Sequence, residues 1–446
     1  MAGIAGNHLI FNGQELNFTP AESVITGQVQ VSVELKDWDR SGDHASSISL
    51  FGWCMSGSGE ALAVEFHLHG TLLASAPLHI PRPDVVEVLA RPGTPPHCGF
   101  YLRLSKFVLP GAAALDIVLI EERSGVGQVR VLLGTVEGLP AGRPALRYAE
   151  RHQPLLLLGM GRSGTTYMMR LLAGHPDILV PGAHPYEVRQ PVWLWHAAQV
   201  LSGPGAAGSM HPDGFESRDL DWLGCNPYRT RDWEDMAGSD PAVRWQEEAL
   251  PAAAVDFCKQ QVDEFVGRCI EGRAPPRYVA QKMLVSPTRY FVGNVYAGAR
   301  EVFLVRDFRD VWLSARSFNR RRGTQSFGRD GFPDDLSWLR GLAFSSLQMR
   351  LAHAAAGPRT QVVRYEDLMR NPGAALTRLL AGLGVDASPG RVGALTAAAS
   401  GAGNLDHRTS EGDGGVGRWR TELTLEEQAV AAEAFGEDLR YFGYEV

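Results

Sequence analysis

Apolar and polar residues alternate along the first third of the chain. In Ala63–His69 the apolar Val64, Phe66 and Leu68 interleave with Glu65, His67 and His69, the two-residue period of a half-buried strand. Ile48–Trp53, Tyr101–Leu104, Leu115–Ile120 and Gln128–Leu133 are further strand candidates. Turn-forming stretches separate them at Ser56–Glu60, Pro81–Asp84, Arg91–Gly99 and Ser124–Gly127. Short strands at this spacing predict an N-terminal β-sandwich over residues 1–145.

From about Gln153 the alternation stops. Leu155–Leu158 and Val302–Val305 are apolar without interruption, and each leads into a helical pattern. That is the grammar of a parallel sheet covered on both faces. The expected second domain is therefore α/β over residues 152–446. A linker is expected at Leu139–Arg151, where Pro140, Gly142 and Pro144 fall. Residues 200–275, with a helical segment at Ala252–Cys269, read as an insertion over the active face.

Composition narrows the class. The 446 residues are 44% hydrophobic and 21% charged, as in globular proteins, and the net charge is −7. An acidic balance argues against a nucleic-acid binder. Five scattered cysteines form no CxxC pair and fit a reducing compartment. No signal peptide and no apolar run of spanning length are visible. A cytoplasmic enzyme is the expectation, with its oligomeric state left open.

The strand Leu155–Leu158 runs into Gly159-Met-Gly-Arg-Ser-Gly-Thr-Thr166 and then a helical segment. A glycine loop between a strand and a helix N-terminus cradles an anion, because its N–H groups converge and the helix dipole favours negative charge. The spacing is that of G-x-x-x-x-G-K-[ST], except that Thr165 stands where the lysine would be. Without that lysine a triphosphatase loses a central part. Gly161, Arg162, Ser163, Gly164, Thr165 and Thr166 are the candidate contacts. The segment resembles the 5′-phosphosulfate loop of sulfotransferases that use 3′-phosphoadenosine 5′-phosphosulfate (PAPS).

A second segment, VRDFRDVWLSARSFN, puts Arg306 at a strand end and Ser314 eight positions on, in the following helix. An arginine and a hydroxyl there can bind one phosphate jointly. The segment resembles the family's 3′-phosphate site. Arg309 is expected to be structural, paired with Asp307 or Asp310 or lining the cleft. Gly414–Arg420 resembles the family's GxW segment, which makes Gly417, Arg418, Trp419 and Arg420 candidates beside the nucleotide. Thr424 and Glu427 form a capping box before a helix whose Ala429, Ala432, Phe435 and Leu439 share a face. Val363–Leu368 resembles the family's RYEDL segment and is assigned to structure. The resemblance covers residues 153–446.

Sulfonate transfer needs a base on the acceptor hydroxyl and a cation on the leaving oxygen. His184-Pro-Tyr-Glu-Val-Arg189 resembles the Glu-x-Arg segment of tyrosylprotein sulfotransferases. The resemblance implies Glu187 as base with Arg189 orienting it or the acceptor, and His184 competes. Lys282 resembles the family lysine at the bridging oxygen. Asn319–Gly323, with its three arginines, reads either as an anion-attracting patch or as a solvated helix end. No metal site is expected, His67 and His69 being too few ligands. The reading is a PAPS-dependent sulfotransferase. The segment GWCMSGSGE, with RPDV and a later GF, resembles β-domains attached to carbohydrate-modifying enzymes and tilts the small-molecule or glycan acceptor toward a saccharide or glycosylated compound. A phenol or a tyrosine stays open, as do a P-loop kinase or nucleotidase and a non-catalytic binding module.

Overall fold

A computed structural model describes the chain except for residues 1–7, 12–13, 23–28, 37–45, 58, 90–95, 111–113, 126, 140–144, 204–240, 242–244, 246–248, 326 and 402–414. The chain folds into two compact units. The first holds residues 1–149, 192–262 and 286–297, and the second holds 150–191, 263–285 and 298–446. Segments downstream of the expected linker thus alternate between the units. The expected insertion over 200–275 lies partly outside the described residues. Its described part includes the helix Leu250–Ile270.

Among the described residues the first unit carries the strands β1 (His8–Phe11), β2 (Gln14–Pro20), β3 (Val29–Lys36), β4 (Ser47–Ser56), β5 (Glu60–Leu68), β6 (Thr71–Pro77), β7 (Ile80–Pro81), β8 (His97–Ser105), β9 (Leu115–Arg123) and β10 (Gly127–Glu137). They form two sheets, ordered β1-β2-β10-β9-β5-β6 and β3-β4-β8-β7, with antiparallel pairing throughout. Side chains of both enter one core: Leu50, Phe100 and Leu102 from one sheet, Val64, Phe66, Leu68 and Ile117 from the other. The alternation seen in the sequence supplies that core. Tyr290, far along the chain, joins it.

One stretch expected to be a turn is different. At Pro81–Asp84 a helix, Pro83–Leu89, begins. Proline in the first helical turn gives up no hydrogen bond, and Asp84 complements the helix dipole. The Arg91–Gly99 stretch lies partly outside the described residues, and β8 already begins at His97.

Among the described residues the second unit holds a five-stranded parallel sheet in the order β12-β13-β11-β14-β15. Its strands are β11 (Gln153–Leu158), β12 (Ile178–Leu179), β13 (Tyr278–Met283), β14 (Arg300–Val305) and β15 (Thr360–Arg364). Residues Leu155–Leu158 are at most 1% exposed, so burial on both faces replaces alternation. Alternate residues Leu155, Leu157, Ala280, Val302 and Leu304 pack with Met168, Leu171, Leu376 and Leu379. Four helices matter for the site: α1 (Thr165–Leu172), α2 (Phe308–Arg322), α3 (Tyr365–Arg370) and α4 (Leu425–Tyr441).

Helix α4 starts at a formed capping box: Glu427 N–H donates to Thr424 Oγ1 (3.1 Å), and Thr424 N–H donates to Glu427 Oε2 (2.8 Å). Its buried face is rotated from the expected one. Val430, Ala431, Phe435 and Leu439 are buried, Ala429 is exposed and Ala432 half-buried. Burying Val430 removes more apolar area from water than burying Ala429 does, so the helix turns that way. Among the described residues no helix is long and apolar enough to cross a membrane.

Candidate active site

The strand order arranges the site. Reading across the carboxyl edge of the sheet, β12 leads to residues 180–189, β13 ends near Lys282, β11 ends at the glycine loop, β14 ends before Arg306, and β15 ends before Tyr365. Segments far apart in the sequence are thereby brought side by side, where open parallel sheets bind ligands.

The glycine loop is tightly built. Gly164 sits at the N-cap of α1 with φ 96°, and a Cβ there would lie 2.4 Å from the Tyr365 ring. Only glycine fits that backbone and that space. Arg162 also has positive φ, 71°, without being glycine, a conformation that costs on the order of 1–3 kcal/mol and recurs at functional sites. Ser163 is buried and its hydroxyl donates to Met160 O (2.7 Å), so it braces the loop from inside. A Cβ on Gly161 would meet the Phe327 ring at 2.8 Å.

One side of the loop is cationic. Arg162 Nε donates to Ser314 Oγ (3.3 Å), and Arg306 donates through its two terminal nitrogens to Arg162 O (3.1 Å) and Gly415 O (2.7 Å). Arg306 and Ser314 therefore meet through Arg162. The Arg306 guanidinium lies over the Tyr365 ring, 4.5 Å from its centre. Burial, with Arg306, Arg321 and Arg322 nearby, pulls the Arg162 guanidinium down to about 10. A buried guanidinium with further cations beside it favours an anion in its vicinity.

The C-terminal segment borders this side. Gly417 N–H and Trp419 N–H donate to the two carboxylate oxygens of Asp310 (2.6 and 2.9 Å). Burial, with Asp307 beside it, pushes the Asp310 carboxyl up to about 6 against the pull of Arg306. Arg309 forks onto Asp307 (2.9 and 2.8 Å) and stacks on Trp419, 3.5 Å from the ring centre. Arg418 is paired with Glu422 (2.6 Å) and donates to Ser317 Oγ (3.1 Å), while Arg420 pairs with Glu445. Asn319, in the arginine run that ends α2, bonds both the N–H and the carbonyl of Phe327 (3.3 and 3.2 Å).

On the other side of the loop stands an ionised pair. Lys282 Nζ lies 2.6 Å from Glu187 Oε1 and donates to Thr166 Oγ1 (3.1 Å) and Pro185 O (2.9 Å). Arg189 reaches the second Glu187 oxygen (2.9 Å). Burial pushes the Glu187 carboxyl up, but the Lys282 hydrogen bond and charge, with Arg189, outweigh it and leave it below the ordinary glutamate value. His184, half-buried, packs edge-on to Tyr186 with ring centres 6.0 Å apart. His67 and His69 are engaged elsewhere, with Glu65 (2.9 Å) and the Tyr290 hydroxyl (3.2 Å). Among the described residues no group of three or more His, Cys, Asp or Glu could hold a metal ion.

Three residues at the site carried no functional sign in the sequence: Tyr365, Phe327 and Asp310. Tyr365 sits inside a segment read as structural, and the Asp310 partners are backbone groups, which a sequence does not display. Glu366, next to Tyr365, accepts from Asp307 N–H (3.0 Å) and from the Tyr444 hydroxyl (2.7 Å), which ties the end of β15 to the end of β14.

Comparison with known proteins adds an independent observation. The model of the sulfotransferase family matches residues 154–389. Nodulation protein NoeE of Sinorhizobium fredii is 26% identical over 319 residues, which are 65% of this chain. The chain likewise spans 65% of the length of that curated relative. Among solved structures, the sulfotransferase domain from the curacin biosynthetic pathway is 17% identical with a TM-score of 0.37, covering 67% of this chain and 100% of that one. Mouse sulfotransferase SULT7A1, complexed with PAP, is 13% identical with a TM-score of 0.37, covering 66% of this chain and 86% of its own.

Proposed function

Because this chain belongs to the sulfotransferase family, we propose that it transfers a sulfonate group from PAPS to an acceptor hydroxyl, with Glu187 as general base. The observation that carries the reading is the position of Lys282, whose ammonium touches both the loop hydroxyl of Thr166 and the carboxylate of Glu187. A base and a cation in contact at the mouth of an anion loop are the two groups that sulfonate transfer needs.

The residues present fit the donor. The loop Gly161, Arg162, Ser163, Gly164, Thr165 and Thr166 takes its 5′ end. Arg306 and Ser314 take the 3′-phosphate, and the burial and neighbouring arginines that lower Arg162 favour such an anion. Gly417 and Trp419 border the nucleotide, as do Arg418 and Arg420, whose charges are already matched by Glu422 and Glu445. PAPS supplies an activated sulfonate. Glu187, ionised at neutral pH, accepts the acceptor's proton. Lys282 neutralises charge on the departing phosphate oxygen, and Arg189 holds Glu187. The contact with Lys282 favours Glu187 over His184 as base. No step calls for a metal.

The first unit acts in this reading as a β-sandwich accessory domain, supported by its two sheets around one core. With the GWCMSGSGE resemblance, it tilts the acceptor toward a carbohydrate or glycosylated metabolite modified in the cytoplasm. The test is transfer from radiolabelled PAPS to panels of glycans and phenols, with wild type and Arg306→Ala. Losing charge-assisted bonds worth about 1.5–3 kcal/mol each should reduce transfer roughly 10- to 100-fold. Transfer unaffected by Arg306→Ala would remove the donor assignment, and label reaching phenols alone would remove the carbohydrate.

A further inference from the structure

We propose that Asp310 is a positioning residue for the nucleotide: its carboxylate fixes Gly415–Trp419 against Arg306, and nucleotide affinity depends on that grip. The proposal rests on the reading of the site as a PAPS site.

The geometry is specific. Asp310, in the first turn of α2, has no exposed surface. Each of its oxygens accepts one backbone N–H from a segment more than a hundred positions away, Gly417 at 2.6 Å and Trp419 at 2.9 Å. Hydrogen bonds to an ionised acceptor are about twice as strong as neutral ones. The same strand-helix unit holds the segment at three further points: Arg306 on Gly415 O (2.7 Å), Arg309 on the Trp419 ring (3.5 Å) and Ser317 on Arg418 (3.1 Å). Of these anchors, Asp310 alone grips the main chain twice.

The consequence falls on Arg306. Its guanidinium is aimed by the Arg162 carbonyl, the Gly415 carbonyl and the Tyr365 ring. Gly415 is two residues from Gly417, so release of Gly417 frees the carbonyl that orients the arginine. A buried carboxylate beside Asp307 is a costly anchor, which is why burial pushes it up to about 6. Arg306 and the two N–H groups are what offset that cost.

The experiment is PAP binding by titration calorimetry, with steady-state kinetics, on full-length wild type, Asp310→Asn and Gly417→Ala. Asparagine offers one acceptor oxygen and turns an NH2 toward the other N–H. PAP binding and the KM for PAPS should therefore weaken about tenfold or more. The kcat at saturating PAPS and the KM for the acceptor should move by less than about threefold, a split that general loss of structure would not give. In hydrogen exchange the Gly417 and Trp419 amides should be protected in wild type and exposed in Asp310→Asn. Gly417→Ala leaves α2 untouched but strains a residue at φ 73° and brings a Cβ to 2.9 Å from Arg420. It should show the same loss and serves where Asp310→Asn does not fold. Wild-type PAP affinity in either folded variant overturns the proposal, as does a kcat loss with PAP binding intact. Wild type that does not bind PAP overturns the reading of the site and, with it, this proposal.

Discussion

Glu187 shows how much a single side chain's role depends on its neighbours. A half-exposed carboxylate would ordinarily titrate near 4.5, and Lys282 and Arg189 hold this one lower. The sign follows directly: the base form is present at neutral pH and is lost only as pH falls through that lowered value. The acid limb of the kcat profile should therefore lie below pH 4.5 in wild type. Lys282→Met removes the strongest stabiliser of the carboxylate, so the limb should move upward while turnover drops. Glu187→Gln should lower kcat by roughly 10²–10⁴-fold, the range for a lost general base, with PAP binding retained. A pH–rate series on the three proteins checks this, and an unchanged limb in Lys282→Met would dissociate the pair from the chemistry. At this scale much is legible in the sequence: Thr165 in place of a lysine, Arg306 and Ser314 eight apart, Glu187 two before Arg189. What the sequence hides are the intermediaries. That Arg162 stands between Arg306 and Ser314 follows from a positive φ no propensity predicts.

The elements are legible to the extent that their signals are local. The capping box at Thr424 and Glu427 involves residues three apart, and it forms as the pattern predicts. The buried face of α4 departs by one position from its pattern, because alanines bury little area and leave rotation to their larger neighbours. The sheet order is not legible, since β12 is two residues long and carries no period. Yet that order is what sets Glu187, Lys282, the loop, Arg306 and Tyr365 in sequence across one edge. The junction of β11 and α1 is the least forgiving point of this arrangement. Gly164→Ala adds a methyl 2.4 Å from the Tyr365 ring at a φ of 96°. Strain and overpacking together should cost about 2–5 kcal/mol. A fall in melting temperature, partly recovered in Gly164→Ala with Tyr365→Ala, would be read by calorimetry. A Gly164→Ala protein as stable as wild type would contradict the close packing of loop on ring.

At the scale of the whole molecule the sequence suggests one cut, in the linker Leu139–Arg151, and the line that the folded chain draws falls there once and at four further places. It passes between the two units at 149/150, 191/192, 262/263, 285/286 and 297/298. The later segments of the first unit are bound to its strands by specific interactions. Tyr290 enters the core and its hydroxyl donates to Leu68 O (3.3 Å). Asn294 donates to Phe107 O (2.9 Å), Phe291 packs on Phe107, and Asp256 accepts from Arg147 N–H and Tyr148 N–H (2.8 and 3.0 Å). None of these pairings has a period or a motif, because each joins residues separated by more than a hundred positions. A chain shortened to 150–446 would keep the sulfotransferase motifs but leave Tyr290, Phe291 and the Asp256 carboxylate without these partners. Burying one such aromatic contributes about 1.5–3 kcal/mol, a large share of the margin by which a domain is stable. The shortened chain should therefore bind a hydrophobic dye, associate in size-exclusion chromatography and lose a sharp thermal transition. A monomeric 150–446 chain with the full-length melting profile would show that the motif-bearing unit stands alone, and that the packing of residues 286–297 on the strands is dispensable.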